Sequence, residues 1–133
     1  MNKKGFTLIE ILLVVVILGL LSSMIVPRLV GRAGEARLKI ARTDIDSGIA
    51  EVLDLYELDT GKYPASLSDL ITQPAGVKNW KGPYIKKKIL PKDPWGNEYI
   101  YKFPGTHNQD GYDLHSMGPD GVDGSDDDIT NWK

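Results

Sequence analysis

The sequence contains no cysteine, so no disulfide bond stabilises its fold in any compartment. It has two histidines in 133 residues, which offers too little imidazole and no thiolate for an ordinary zinc centre. Its formal charge of −2 provides no general basis for nucleic-acid binding. These shortages exclude a disulfide-stapled scaffold and leave few side chains for metal or nucleophilic catalysis.

The sequence patterns that could indicate a catalytic site are correspondingly weak. Asp113, His115 and Ser116 have the residue types of a nucleophilic triad, but neighbouring residues on a strand point to opposite faces. A pair of carboxylates from the acidic C-terminal stretch has the chemistry of a glycosidase pair, yet the pattern predicts no cleft around them. We expect both histidines, His107 and His115, to lie on the surface, and the chain is predicted not to be an enzyme.

A long hydrophobic run is the most prominent feature that the sequence does have. From Phe6 to Val26 the residues are apolar or small except Thr7, Glu10, Ser22 and Ser23. As a helix this run is about 31 Å long, close to the thickness of a membrane's hydrocarbon core. Lys3 and Lys4 precede it, so a cleaved secretory signal and a plain membrane anchor are both alternatives. The orientation is unclear from charge, because five basic residues follow the run: Arg28, Arg32, Arg37, Lys39 and Arg42.

Glu10 is the unusual residue within this run. An ionised carboxylate costs about 2.5–3.5 kcal/mol at the centre of a membrane span, and less near its end. A segment that serves only as an anchor gains nothing from this cost. Glu10 therefore predicts a positively charged partner, and the positive end of another molecule is one candidate.

The segment Lys4–Glu10, followed by an aliphatic run, resembles the leader of type IV pilins and type II secretion pseudopilins. The resemblance implies that a prepilin peptidase cleaves between Gly5 and Phe6 and that Phe6 is then N-methylated. It also implies that Glu10 faces the new amino group of Phe6, in its own subunit or in a neighbour. Residues 1–5 are then the leader peptide, and residues 6–27 form the transmembrane and filament-core helix.

A second helix pattern follows Pro27. Apolar residues recur at helical spacing over residues 28–58 and predict one buried face: Ala41, Ile45, Ile49, Val52, Leu53 and Tyr56. Gly61 suits a left-handed cap at its end. Pro27 removes a helical hydrogen bond, so it predicts a kink or local melting, which is either without consequence or a point of flexibility. The resemblance implies that this joint loosens when subunits enter a filament.

The remaining chain predicts short elements in a domain with a small core. The compact part is about 75 residues, a size at which other proteins often need staples. Ser66 and Asp69 predict a capped short helix, residues 76–92 a lysine-rich loop, and Asp93–Gly96 a type I turn. Residues 98–103 and 112–116 predict two antiparallel strands packed on the helix. The lysines indicate either a solvated surface or a contact with an acidic neighbouring subunit.

An acidic stretch ends the chain. Residues 120–128 contain five aspartates and two glycines, and Gly118 precedes them. Oxygen ligands in a glycine-rich loop are typical of calcium sites, although the spacing is not that of an EF-hand. From composition alone, a disordered acidic tail and a calcium loop are both open interpretations. The terminal Trp132 favours packing over fraying.

Three segments sharpen the resemblance to one subgroup, the major pseudopilins of type II secretion systems. They are Asp93–Asn97, Ser116–Gly121 and Asp127–Trp132. The resemblance implies a calcium ion in the C-terminal loop, held by Met117, Asp120, Val122, Ser125, Asp127 and Asp128. Because Asp126 directly precedes Asp127 and Asp128, the true acidic ligands are open to a shift of one position. Asp123 is expected to be solvated.

The resulting prediction is an α+β, type IV pilin-like fold. A long N-terminal helix packs on a small antiparallel sheet with a C-terminal calcium loop, and residues 28–133 form the periplasmic globular domain.

The resemblance implies the major structural subunit of the type II secretion pseudopilus, which polymerises in the periplasm to drive export of folded proteins. Implied partners are further copies of the chain, minor pseudopilins, the inner-membrane assembly platform and the prepilin peptidase. Implied locations are the bacterial inner membrane, in a single pass, and then the periplasmic filament. A type IV pilin of a surface or DNA-uptake pilus and a monomeric membrane-anchored calcium-binding domain are the alternatives.

Overall fold

The computed structural model describes residues 4–133, apart from the side chain at position 27. By compactness the chain divides into two units, Met1–Ala36 and Arg37–Lys133, which we call the helical unit and the head. Of the predicted leader, residues 1–5, the first three residues lie outside the described part of the chain. The predicted boundaries after residues 5 and 27 concern processing and the membrane, and they stay predictions.

The helical unit is built on one helix. Residues 4–7 have no regular structure, and helix α1 spans Leu8–Thr43, so its last turns belong to the head. The helix is long and apolar enough to cross a membrane. It passes position 27 without a break, so the joint is not melted in the isolated chain, and loosening on assembly stays a prediction about Pro27.

The helix of the head is interrupted once, which the sequence pattern does not predict. A π-helical turn, Asp44–Gly48, separates α1 from helix α2, Ile49–Thr60. Steps of four residues overshoot an α-helical turn of 3.6, and a wider π turn offsets that rotation. Ala41, Ile45, Ile49 and Leu53 therefore all stay on the buried face. Gly61, at φ +90°, ends α2 in the predicted left-handed conformation, and its N–H donates to the carbonyl of Glu57.

The segment after α2 follows its prediction closely. A 3₁₀ turn spans Leu67–Leu70, and the N–H of Ser66 donates to the Asp69 carboxylate at 3.3 Å, as in a capping box. Residues 76–91 form a loop without helix or strand. The N–H of Gly96 donates to the carbonyl of Asp93 at 3.0 Å, which closes the predicted turn.

Three antiparallel strands form one sheet in the order β1-β2-β3. Strands β1 (Ile100–Lys102) and β2 (Asp113–Ser116) lie within the two predicted strand segments, and Tyr101 pairs with Leu114. Strand β3 (Ile129–Thr130) pairs with β2 and was not predicted. It is too short to show an alternating pattern. Because β3 returns to the sheet, the interpretation of the acidic stretch as a disordered tail is wrong.

The hydrophobic core lies in the head and joins its helices to the sheet. Nine apolar residues have at most 6% of their surface exposed: Ala41, Ile45, Ile49, Leu53, Tyr56, Leu70, Tyr99, Leu114 and Ile129. The hydroxyl of Tyr99 donates to the carboxylate of Asp44 at 2.7 Å, which ties the β1 segment to the π turn. A long N-terminal helix with a small antiparallel sheet confirms the predicted fold class, and the core holds the loop between β2 and β3 in place.

Candidate functional site

The start of α1 surrounds the first predicted site. Glu10 accepts hydrogen bonds from the N–H of Thr7 at 2.7 Å and from its hydroxyl at 2.9 Å. Thr7 precedes the first helical residue and Glu10 is the third residue of the helix, so the pair forms a capping box. In the single chain Glu10 is thus held by the helix start. The Thr-x-x-Glu spacing is the sequence signal for this cap, which was not among the predictions.

The predicted cleavage bond lies just before this cap. Gly5 and Phe6 are in the segment without regular structure, and 85% of the Phe6 surface is exposed. A Cβ atom added at Gly5 would meet no atom within 4 Å. The fold itself therefore does not require glycine at position 5, and cleavage at this bond stays a prediction.

The second predicted site is the loop that joins β2 to β3. Gly118, at φ +66°, allows the chain to fold back, since an added Cβ atom would lie 2.3 Å from the carbonyl oxygen of Asp127. Carboxylate oxygens of Asp120, Asp127 and Asp128 lie within 4.8 Å of one another. The loop thus brings both ends of the acidic stretch together.

Oxygen atoms converge on Ser125 in this loop. Four of them lie within 3.2 Å of its hydroxyl, one each from Asp120, Val122, Asp127 and Asp128. The Val122 atom is a backbone carbonyl, and the others belong to carboxylates. A hydroxyl group donates only one hydrogen bond. The Ser125 hydroxyl therefore donates to only one of the four oxygens, and the other three receive no hydrogen bond from it. A cation at this place would attract all four oxygens.

Backbone groups support the same carboxylates. The N–H of Asp120 donates to Asp127 at 3.1 Å, and the N–H of Gly124 donates to Asp128 at 2.8 Å. The Ser125 hydroxyl, together with this N–H of Asp120, holds the pKa of Asp127 below its usual value. The Asp127 carboxylate is consequently ionised at neutral pH although other acidic side chains lie close to it. Oxygen-only donors of this number and charge fit a calcium ion, which takes six to eight oxygens.

The structure brings five of the six predicted ligand residues together. The sixth, Met117, is half-buried beside Gly118 and is not among the residues whose atoms surround Ser125. Asp126 is exposed and lies outside the acidic cluster, whereas Asp127 and Asp128 are partly buried within it. A shift of the acidic ligands to Asp126 is therefore disfavoured by the geometry.

One histidine differs from its prediction. His107 is exposed, but His115 is buried in β2 with 9% of its surface exposed, so its predicted surface location is wrong. Its Nε2 lies 2.7 Å from a carboxylate oxygen of Asp123, and a carboxylate only accepts, so Nε2 donates. Asp123 is exposed as expected but also holds the loop to the sheet. The burial follows from β2 being the central strand, which periodicity alone does not reveal.

Asp93 and Ser116 connect the acidic loop to the turn at residues 93–96. The hydroxyl of Ser116 donates to the Asp93 carboxylate at 2.7 Å and accepts from the N–H of Gly118 at 3.1 Å. The other carboxylate oxygen of Asp93 accepts the N–H groups of Trp95 and Asn97. Aspartate at the first position of a turn is the signal for such bonds. Sequence reasoning recognised the turn but not this connection.

Asp113, at the other end of β2, organises the preceding loop. Its carboxylate accepts the backbone N–H groups of Thr106, His107 and Asn108 at 2.8–2.9 Å. Burial by itself raises the pKa of Asp113, but these bonds and that of the His107 ring outweigh it and lower the pKa to about 2. Asp113 is thus a structural carboxylate, not a member of a triad.

The lysine-rich loop presents its charges to solvent. Lys86, Lys87 and Lys88 are exposed in the single chain, which fits both predicted interpretations, a solvated surface and a contact with a neighbouring subunit. Neighbouring side chains anchor the loop, since the hydroxyl of Tyr84 donates to Asp59 at 2.9 Å and the indole of Trp80 donates to the carbonyl of Asp69. A contact with an acidic neighbour stays a prediction.

Comparison with known families gives two matches that together span almost the whole chain. Residues 28–132 match the model of the family described as "Type II secretion system (T2SS), protein G". Residues 1–26 match the "Prokaryotic N-terminal methylation motif". The head and the helical unit each carry the signature that the sequence segments had suggested.

Individual relatives agree with these matches. The chain is 46% identical to the type II secretion system core protein G of Pseudomonas aeruginosa, over 98% of this chain and 96% of that one. It is 45% identical to the protein of the same name from Escherichia coli K12, over 98% and 92% of the two chains. Among solved structures, it resembles the major pseudopilin from the type 2 secretion system of enterohaemorrhagic Escherichia coli. That match has a TM-score of 0.66 and 34% identity, and covers 78% of this chain and 89% of the other.

Proposed function

This chain belongs to the type II secretion system protein G family, that of the major pseudopilins, and from this premise we propose that it polymerises in the periplasm to drive export of folded proteins. It would form the structural shaft of the pseudopilus. The family consists of structural subunits, so the prediction that the chain is not an enzyme is confirmed. Its membership also implies assembly with other components of the secretion system.

The exposed apolar helix is the observation that carries this proposal. Every described side chain from residue 4 to residue 40 is exposed, although most of residues 6–26 are apolar. Burying one leucine or isoleucine side chain contributes about 1.5–3 kcal/mol. A segment of this kind requires hydrocarbon around it or copies of itself, and a subunit that moves from a membrane into a fibre core uses both. We therefore place the helix in the bacterial inner membrane before assembly, in a single pass, with the head in the periplasm.

Processing at the N-terminus would prepare the helix for this transfer. A prepilin peptidase would cut between Gly5 and Phe6, and N-methylation of Phe6 would follow. Cleavage would create an ammonium group on Phe6, four residues before Glu10, which lies in the first turn of α1. Glu10 would then exchange part of its bonding to Thr7 for this cation, in its own subunit or in a neighbour, and would set the register between copies. Pro27 would allow the helix to loosen as it packs.

Calcium would hold the C-terminal loop of the assembled subunit. We propose as its ligands Met117, Asp120, Val122, Ser125, Asp127 and Asp128. The ion would neutralise the crowded carboxylates and keep Gly118 against Asp127. Because Ser116 links this loop to Asp93, loss of the ion would also loosen the turn at residues 93–96. The minor pseudopilins and an inner-membrane assembly platform would be the further partners of such a subunit.

Charge reversal at Glu10 tests the filament proposal. Glu10→Lys should abolish fibres on overexpression while the head still folds, because two cations would then oppose each other at the helix start. Glu98→Lys is the matched control, since Glu98 is exposed in the head. Electron microscopy counts the fibres, and mass spectrometry of the mature chain locates its N-terminus. Fibres from Glu10→Lys, or an uncut mature chain in the native host, would refute the proposed role.

Calcium removal tests the loop separately. At a tenfold excess of ion over its dissociation constant, binding stabilises the fold by about 1.4 kcal/mol. For a head of this size that corresponds to a melting shift of roughly 5–10 °C. The shift on chelation should disappear in Asp127→Asn/Asp128→Asn and persist in Asp126→Asn, the exposed neighbour. A wild-type melting curve that is identical with and without chelator would reject the ion. If the melting shift on chelation is lost only in Asp126→Asn, then Asp126 is a ligand and the assignment of acidic ligands changes by one residue.

Two alternatives remain distinct from this proposal. A surface or DNA-uptake type IV pilin often carries a C-terminal disulfide, which a chain without cysteine cannot form. A monomeric membrane-anchored calcium-binding domain would respond to chelation but form no fibres. The same pair of experiments therefore separates all three functions.

A further inference from the structure

Basic side chains follow directly on the apolar run of α1. Between residues 27 and 43 the chain has five cations and one acid: Arg28, Arg32, Arg37, Lys39 and Arg42 against Glu35. They outnumber Lys3 and Lys4 at the other end of the run, which is opposite to the usual asymmetry if the head is outside the cytoplasm. This excess of positive charge has no role in the proposed filament chemistry at Glu10 or in the loop.

Two of these arginines share a groove with apolar side chains. Arg28 and Arg32 are one helical turn apart, and they line a depression of about 450 Å³ with Leu21, Met24, Ile25 and Leu29. The groove lies within the helical unit, and its two ends differ in chemistry. One end is apolar and belongs to the predicted membrane span, whereas the other carries two guanidinium groups. Such a surface is amphipathic along the helix axis.

Arg28 and Arg32 have no polar partner within the described part of the chain. Among residues 4–133, the structure records no ion pair or side-chain hydrogen bond to Arg28 or Arg32, whereas Arg42 in the head donates to the carbonyl of Thr130 and pairs with Asp46. Guanidinium groups offer five donors each in a planar fork that matches a phosphate group. The donors of Arg28 and Arg32 are therefore available to a ligand.

Their position along the helix points to the membrane surface. At 1.5 Å per residue, Arg28 lies about 3 Å and Arg32 about 9 Å beyond Val26, the last residue of the apolar run. The headgroup region on each side of a bilayer is roughly 5–8 Å thick. Arg28 is thus within this region, and the long side chain of Arg32 reaches back into it. Arg37 is about 16 Å beyond Val26, outside the layer of phosphates.

We propose that Arg28 and Arg32 bind the phosphate of an anionic phospholipid in the outer leaflet of the inner membrane, whose acyl chain lies along Leu21, Met24 and Ile25. This site rests on the proposed function, because that function sets the orientation of the helix. Charge favours a lipid over the same segment of a second copy. Another copy would present Arg28 and Arg32 again and only Glu35 in return. The contact would retain the subunit at the periplasmic surface until assembly removes it from the bilayer.

Lipid binding to the full chain tests the site. Native mass spectrometry of the detergent-solubilised chain compares binding of phosphatidylglycerol with binding of phosphatidylcholine. We expect the wild type to prefer phosphatidylglycerol, and Arg28→Gln/Arg32→Gln to bind it about 25-fold more weakly. Lys86→Gln/Lys87→Gln removes the same charge from exposed lysines of the head and should keep the preference. Arg28→Lys/Arg32→Lys keeps the charge without the planar fork and should fall between them.

Three results would overturn the assignment. They are equal binding of both lipids by the wild type, an unchanged preference in Arg28→Gln/Arg32→Gln, and an equal loss in the lysine control. The last of these would mean that net charge, not the groove, attracts the lipid.

Fibre formation by the same protein variants distinguishes failure of the lipid site from failure of the proposed function. Fibres without lipid preference reject only the lipid site, whereas lipid preference without fibres rejects only the filament.

Discussion

The two units of this chain use apolar residues in opposite ways. In the helical unit, large apolar side chains are 46% to 88% exposed, as at Ile17 and Leu8. In the head, the nine core residues have at most 6% of their surface exposed. The head thus buries an apolar core within one chain, although some of its apolar side chains, such as Leu58 and Ile89, stay exposed, whereas the described part of the helical unit buries none.

This difference separates the energy of folding from the energy of association. The stabilising free energy of apolar burial is proportional to the area removed from water. The head gains this stabilisation on folding, whereas the helix would gain it only in a membrane or in the proposed fibre. Polar groups follow the same division. Among residues 4–133, the Glu10 carboxylate makes only local bonds, to Thr7, whereas the carboxylates of Asp93 and Asp113 connect separate segments of the head.

The same substitution in the two units tests this division most directly. Leu53 is fully buried, so Leu53→Ala should cost about 2–5 kcal/mol and lower the melting temperature of the head by at least about 10 °C. Leu13 is 60% exposed, so Leu13→Ala should leave that temperature unchanged and shorten or reduce the fibres. Melting of the full chain in detergent and electron microscopy measure the two effects. A lowered melting temperature in Leu13→Ala, or an unchanged one in Leu53→Ala, would contradict this division between the two units.

A second pair of variants asks whether the acidic loop belongs to the rigid part of the head. Gly118 and Gly124 both have positive φ, +66° and +84°, but only Gly118 packs against another segment. Gly124→Ala should cost about 1 kcal/mol, from backbone strain alone. Gly118→Ala adds a collision with Asp127 and should cost about 3 kcal/mol. Urea denaturation gives both values. Equal costs would mean that the loop moves away from Gly118 easily and is not held as the structure shows.

Local signals predicted most of the head. The Ser66 cap, the Gly61 cap and the turn at residues 93–96 each depend on a few neighbouring residues, and all three were predicted. The helix periodicity gave the buried face but not the π turn at Asp44–Gly48. That turn arises because one face must meet the sheet over several successive steps of four residues, which is a tertiary requirement.

Long-range placement is what the sequence did not predict. Strand β3 has two residues, and its pairing with β2 depends on the path of the loop between them. The burial of His115 follows from that pairing, since β2 becomes the central strand only when β3 is present. The aspartates of the loop were predicted as a group from composition and resemblance. Their convergence on Ser125 required the folded backbone.

The acid stability of the head depends in part on one carboxylate, that of Asp113. The pKa of Asp113 is lowered to about 2 from an ordinary value of 3.8. A carboxylate whose pKa is lowered in the folded state stabilises the fold above its unfolded pKa, and this contribution is lost as pH falls through the folded value. Asp113 should therefore contribute about 2 kcal/mol at neutral pH, and lose it between about pH 4 and pH 2.

Two variants separate this contribution from those of the other acids. Asp113→Asn removes the charge that the N–H groups of Thr106, His107 and Asn108 surround, so its stability deficit should shrink as pH falls from 4 to 2. Asp110→Asn removes an exposed charge from the same loop without removing an acceptor from those groups. Urea denaturation of both variants across this pH range measures the difference. A deficit of Asp113→Asn that stays constant down to pH 2 would show that shape, not charge, makes this residue hold the loop.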